Sequence, residues 1–316
     1  MKILLTILLL FSLVSFSWSA DSAAPTVVVS IKPLHSLVAG VMQGVGTPQL
    51  LVKGGASPHG YVLRPSEARA LAKAQLVVWV GEELESFLQK PLSTLGKRAH
   101  QLKLSELLRN DLLVKRHGGS WEGHAHNHSD QQGGTGLHGG QHQGPDLHLW
   151  LDPALAKQIV ILTGKRLVEL DPAHSSQYNR NTAALIKKLD QLDQKLRKQL
   201  APVKDVPYIV FHAAYQYFES AYGLNAVGSI TIDPERKPGV KRIQQIRKKI
   251  KQLGARCVFS EPQFKSRLIA TVIEGTAAKT GTLDPLGADL PAGPEAYFQL
   301  MTNLGDNLHA GLKQTP

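Results

Sequence analysis

Residues 172–200 read PAHSSQYNRNTAALIKKLDQLDQKLRKQL, without a glycine or an internal proline. Leu185, Leu189, Leu192 and Leu196 recur every three or four positions, set against Lys187, Lys188, Asp190, Asp193, Lys195 and Arg197. That is one apolar stripe on an otherwise solvated helix. At about 1.5 Å per residue the helix is a rod of roughly 40 Å, the height of a domain. Pro202 and Pro207 end it. The stripe covers too few heptads for a coiled coil, so the rod is expected to act as a stiff connector.

On both sides of this rod the chain alternates between strand and helix patterns. Before it come apolar strands at 26–30, 49–53 and 76–80, with helices opening at Lys32-Pro33 and Pro65-Ser66. Asp152-Pro153, a capping residue followed by proline, starts a helix to about Leu170, and Asp171-Pro172 repeats the device. After the rod come strands at 208–211, 227–232 and 257–260, with helices at 213–222, 237–251 and 265–279. The pattern predicts an α/β protein of two similar lobes with parallel-type sheets flanked by helices, joined by one long rigid helix. The lobes are expected at 25–170 and 205–316, with the linking helix at 171–201.

Composition narrows the function class. Lys2 followed by an apolar run and the small residues Ser17, Ser19 and Ala20 makes 1–20 a secretory signal, too short in its apolar core for a membrane span. No cysteine follows the run, so a soluble, unanchored mature protein outside the cytoplasm is expected. Cys257 is the one cysteine, which excludes an intrachain disulfide and any cysteine-based zinc site. Much of the net charge of +11 falls in 237–251, where Ile243, Ile246 and Ile250 recur at helical spacing. Arg242, Arg247, Lys248 and Lys249 are therefore placed on the outer face of an amphipathic helix. Without aromatic residues among these bases, nucleic acid is not an expected partner.

Histidine carries the chemistry. His117, His124, His126, His128, His138 and His142 stud a Gly-, Gln- and Ser-rich tract at 117–145, read as a flexible loop and an auxiliary weak metal-binding region. The apolar run 147–151 that follows, bounded by Asp146 and Asp152, reads as a buried strand holding His148. His59 lies in a Gly- and Pro-rich loop past the strand at 49–53, and His212 directly follows the strand at 208–211. Ligands of parallel sheets collect at such carboxyl ends. Three imidazoles suit Zn²⁺, with a carboxylate such as Asp284 or a water as the fourth ligand. Asp284 reads equally as a partner to an imidazole N–H. Glu261 reads as a polar contact in the cleft, His35 as a helix-packing residue, and His100, His174 and His309 as surface residues.

Several strings resemble one family: Ser30-Ile31-Lys32-Pro33, Gly55-Ala56-Ser57-Pro58-His59, His148-Leu149-Trp150-Leu151, Phe211-His212-Ala213-Ala214-Tyr215, Phe259-Ser260-Glu261-Pro262 and Gly281-Thr282-Leu283-Asp284-Pro285. They are similar to the periplasmic zinc-binding proteins of ABC importers, the ZnuA type within the metal-binding solute-receptor family. The resemblance covers nearly the whole mature chain. It implies one metal in a cleft between lobes, with His59, His148 and His212 as the zinc-binding histidines. Manganese-binding relatives have a carboxylate where His212 stands. It further implies high-affinity capture of Zn²⁺ in the periplasm by a monomer, with delivery to an inner-membrane permease driven by its ATPase, and no enzymatic activity. Two departures stand out. Some zinc relatives have Glu before the first ligand, where this chain has Pro58, and relatives often pair two cysteines in the second lobe, where Gly311 stands near the position expected for a partner of Cys257. A zinc hydrolase, with Glu261 as its only obvious base, and a passive periplasmic zinc buffer are the competing readings.

Overall fold

The computed structural model describes residues 23–116, 121, 144–231, 234, 238–264 and 267–313. The expected signal at 1–20 and the six histidines of the 117–145 tract lie outside these residues. In the first lobe β1 (Val27–Val29), β2 (Gln49–Leu50), β3 (Leu76–Trp79) and β4 (His100–Lys103) form a parallel sheet in the order β2-β1-β3-β4. Its helices are α1 (Lys32–Val41), α2 (Pro65–Lys73), α3 (Ser86–Thr94), α4 (Leu104–Leu107) and α5 (Pro153–Leu170). After α6 (Ser175–Leu200), the second lobe repeats the plan. There β5 (Tyr208–His212), β6 (Ala226–Thr231), β7 (Cys257–Ser260) and β8 (Lys279–Thr282) pair in parallel in the order β6-β5-β7-β8. Its helices are α7 (Gln216–Tyr222), α8 (Val240–Leu253), α9 (Arg267–Ile273) and α10 (Ala296–Leu312).

The 26 residues of α6 bury Leu185, Leu189, Leu192, Leu196 and Leu200, continuing the stripe read from sequence. One apolar cluster runs from Val29 and Leu37 through Leu189 and Leu196 to Tyr208, Phe259 and Leu304, so the lobes share a core across the connector. Two glycines allow this close packing. A Cβ at Gly40 of α1 would lie 2.8 Å from Leu185 Cδ1, and one at Gly305 of α10 would lie 2.4 Å from Leu196 Cδ2. Either approach is closer than packed carbons tolerate. Bending at the connector would have to break this core.

Polar ties also cross between lobes. Trp150 Nε1 donates to Pro285 O (2.8 Å) and Tyr297 Oη to Trp150 O (2.9 Å). At the foot of the 117–145 tract, Leu113 N–H donates to Tyr217 Oη (3.0 Å), Tyr217 Oη donates to Asp146 O (2.7 Å), and Arg116 pairs with the buried Glu219. An antiparallel bridge between Val114 and Pro145 brings the two ends of the tract together.

Several expectations are corrected. The run 147–151 is no strand: Asp146 Oδ1 accepts from His148 N–H (3.0 Å), and the chain turns into a 3-10 helix at Leu149–Leu151. A fully buried turn shows the same unbroken apolar pattern as a buried strand, so periodicity could not separate them. Arg242 does not face outward; it is 5 % exposed and donates to Ile230 O and Ser229 O. Asp171 does not cap a backbone N–H. Its carboxylate meets His174 Nδ1 (2.7 Å) and Tyr178 Oη (2.8 Å), and a 3-10 turn precedes α6. The helix expected at 213–222 starts at Gln216, and that at 265–279 is α9 followed by the edge strand β8.

Glu85 lies wholly buried past β3, accepting from Val80 N–H (2.7 Å) and Gly81 N–H (3.0 Å) through Oε2. Burial raises its carboxyl from 4.5 to about 7, and these hydrogen bonds offset only part of the rise. The folded chain thus holds this proton more tightly than the unfolded chain. The stability it contributes is complete below pH 4.5 and is lost as pH rises through 7, a cost on the order of 3 kcal/mol. Glu85→Gln should melt above the parent at pH 8 and close to it at pH 4, in thermal melts across that range. Cys257 is buried, and a Cβ at Gly311 would lie 3.2 Å from its Sγ. Bonded disulfides place Cβ roughly 3 Å from the opposite sulfur. Gly311→Cys should therefore close a disulfide if the buried Phe259 ring, 2.8 Å from the new Cβ, shifts; that displacement offsets part of the usual gain of about 2–4 kcal/mol, and the net effect is read as a reductant-sensitive change in Tm.

Candidate metal centre

His59, His148 and His212 come from three unconnected segments and meet between the lobes. Ser57 caps the 3-10 turn Pro58–Gly60, its Oγ accepting from His59 N–H (3.3 Å), which places His59 beyond β2. His148 stands at the start of the turn folded by Asp146, and His212 is the last residue of β5. Ring centroids lie 5.7 Å (His59–His148), 5.9 Å (His59–His212) and 5.2 Å (His148–His212) apart. One nitrogen from each ring falls within 4.8 Å of the others, the one such group among the described residues. Ser57, Trp150, Phe264, Pro285 and Leu286 enclose a cavity of about 10 Å³ beside them, room for one water or one ion.

Two buried carboxylates determine which nitrogens face that space. His148 Nδ1–H donates to Asp146 Oδ1 (2.8 Å), and His212 Nδ1–H donates to Glu261 Oε1 (2.7 Å). Asp146 and Glu261 are 2 % and 3 % exposed. With both Nδ1 atoms turned to carboxylates, the two Nε2 atoms are the ring nitrogens that face this space, and they stand 3.3 Å apart, close enough to share a proton or to ligate one metal ion. Two imidazole nitrogens on one tetrahedral zinc, each at about 2.0–2.1 Å, stand roughly 3.3–3.4 Å apart. The donor set therefore fits that ion.

His59 adds a third neutral donor. Burial first, then the charge His148, His212 and Lys115 can carry, lowers its pKa to about 2. Its lone pair stays available across the physiological range.

Asp284 does not join the group of ligating atoms. Its Oδ1 accepts from Gln263 Nε2 (2.8 Å) and from the N–H groups of Leu286 and Gly287 (3.0 Å each), and Oδ2 from Ala288 N–H (2.5 Å). Glu261 holds an imidazole. His35 is buried with Nε2 on Pro48 O (3.0 Å), and His174 pairs with Asp171. Asp146 was read from sequence only as the boundary of a strand; an acidic residue two positions before a buried histidine was the signal for its role.

A profile described as "Zinc-uptake complex component A periplasmic" matches residues 27–311. A "High-affinity zinc uptake system protein ZnuA" from Brucella abortus is 48% identical over 303 residues, covering 89% of this chain and 90% of that protein. Its namesake from Yersinia pestis is 38% identical over 297 residues, covering 92% of each. A solved structure described as the periplasmic zinc binding protein TroA from Treponema pallidum superposes with a TM-score of 0.77 at 21% identity, covering 92% of this chain and 100% of that one. At that identity the likeness is one of fold.

Glu261→Gln keeps an acceptor for His212 Nδ1–H but removes the negative charge behind the ring. Loss of such a partner weakens metal binding by roughly 10- to 100-fold. Chelator-competition titration with Zn²⁺ should show that loss, while thermal melts of the metal-free chain stay near the parent.

Proposed function

Because the chain belongs to the family of periplasmic zinc-uptake components of the ZnuA kind, we propose that it captures Zn²⁺ with high affinity and hands it to an ABC-type inner-membrane permease driven by its ATPase. His59, His148 and His212 hold the ion, and a water completes its coordination, since the oxygens of Asp284 are engaged by Gln263 and three backbone N–H groups. The observation that carries this reading is the convergence of three imidazole nitrogens, with the Nε2 atoms of His148 and His212 3.3 Å apart and their rings pinned by Asp146 and Glu261.

The segment 1–20 directs export and is removed, leaving a soluble, unanchored, monomeric chain. No described helix is long and apolar enough to cross a membrane. The histidines between 117 and 142 take up zinc weakly and transiently, raising its concentration beside the tight site. A hydrolase would need a free general base, and Glu261 is committed to His212 Nδ1–H. The protein therefore acts as a receptor rather than an enzyme.

The metal-stripped chain should bind one tight equivalent of Zn²⁺, and His212→Ala should weaken it by roughly two orders of magnitude or more, as expected when one ligand of a tight zinc site is lost. Removing 118–144 should abolish only weaker equivalents in the same titration. In a strain lacking its zinc-importer receptor, the parent chain should restore uptake of radioactive zinc under chelator and His212→Ala should not. Tight binding without restored uptake would identify a buffer, and zinc-dependent ester or peptide cleavage a hydrolase.

A further inference from the structure

One wall of the cavity comes from the second lobe in sequence but is fastened to the first. Pro285 and Leu286 line the cavity, and they open a turn that ends near Leu290. On one side of that turn the Asp284 carboxylate gathers the N–H groups of Leu286, Gly287 and Ala288. On the other side the Lys32 ammonium, at the start of α1, donates to the carbonyls of Gly287, Ala288 (2.8 Å) and Leu290 (2.7 Å). Lys32 is only 6 % exposed. The Gly287–Ala288 peptide group thus stands between the Asp284 carboxylate at its N–H end and the Lys32 ammonium at its carbonyl end, and the neighbouring peptides are each held by one of the two charges, an arrangement that favours both charges and fixes the turn. Trp150 Nε1 adds a bond to Pro285 O (2.8 Å).

Such an anchor has a functional consequence because the connector does not bend. The core runs unbroken through α6, so access to the ion has to come from a local element. The 284–290 turn is well placed, since its side-chain bonds from the first lobe come from Lys32 and Trp150 alone among the described residues, and most of them from Lys32. Resting on the reading that the three histidines hold zinc, we propose that Lys32 and Asp284 are positioning residues that strap this turn over the cavity. Unseating of the strap, with the imidazoles left in place, sets the rate of zinc release. Asp284 contributes by shaping the turn and makes no bond to the ion.

The experiment uses the full mature chain loaded with one equivalent of Zn²⁺, mixed with excess chelator in a stopped-flow instrument, and the same chain loaded with Co²⁺ for its visible d–d spectrum. Lys32→Met should release zinc about 10-fold or more faster, with the cobalt spectrum unchanged and capture no slower than in the parent. Asp284→Asn, which turns one acceptor oxygen into a donor facing a backbone N–H, should act alike. The double variant should release no faster than the faster single one, because both act through the same turn. Should Lys32→Met fail to fold, Asp284→Asn decides alone. Faster release with an unaltered cobalt spectrum supports the strap; an altered spectrum makes Asp284 a ligand and overturns it. Release at the parent rate in either folded variant overturns it too. A parent chain without tight, His212-dependent zinc binding removes the receptor reading itself; tight His212-dependent binding with unchanged release in the variants removes only the strap.

Discussion

The structure depends on α6 being unable to bend. Its leucine stripe is covered along its length by helices of both lobes, and Gly40 and Gly305 let those helices approach until no further side-chain atom would fit. A hinge needs a segment whose backbone angles can change without exposing core, and nothing along the connector meets that condition. The lobes are held at one spacing. That spacing brings an imidazole at the end of β5 within 3.3 Å of one in the first lobe. The apolar stripe and the metal centre are two results of one packing decision.

Within that frame the electrostatics are arranged in advance. Asp146 and Glu261 sit in a low-dielectric interior with their charges directed at imidazole N–H groups, which orients the rings and strengthens the donor nitrogens opposite. The nitrogen-only donor set among the grouped side chains favours zinc over harder ions, which prefer oxygen.

The sequence disclosed the repeated strand–helix order, the connector and the three histidines, because each depends on a short-range pattern or on residue type. Leu185, Leu189, Leu192 and Leu196 state the connector's buried face outright. What stayed hidden depends on long-range geometry. Trp150 sits in an apolar run, bounded by Asp146, that reads as a strand, and only the bond that His148 N–H donates to the Asp146 side chain makes it a turn. Arg242 looks like any base on a charged helix until β6 turns the carbonyls of Ser229 and Ile230 toward it. The edge strand β8 offers the exposed residues Lys279, Thr280 and Thr282 and no apolar alternation to read. Asp284 carried the right chemistry for a ligand; its engagement with backbone N–H groups two to four residues onward shows only once the turn is formed.

A receptor of this kind has to hold its cargo tightly and still give it up, and a rigid connector removes the usual solution. The three donors are not held equally, however. His148 and His212 are each locked by a buried carboxylate, whereas no carboxylate among the described residues hydrogen-bonds the His59 ring, which sits on a short capped turn beyond a two-residue strand. The side of the site that can yield is therefore the one formed by loops: the 3-10 turn bearing His59 on one lobe and the 284–290 turn on the other. In the proposed role, tightness resides in the two imidazoles pinned by buried carboxylates, and reversibility in the loops at the rim of the cleft.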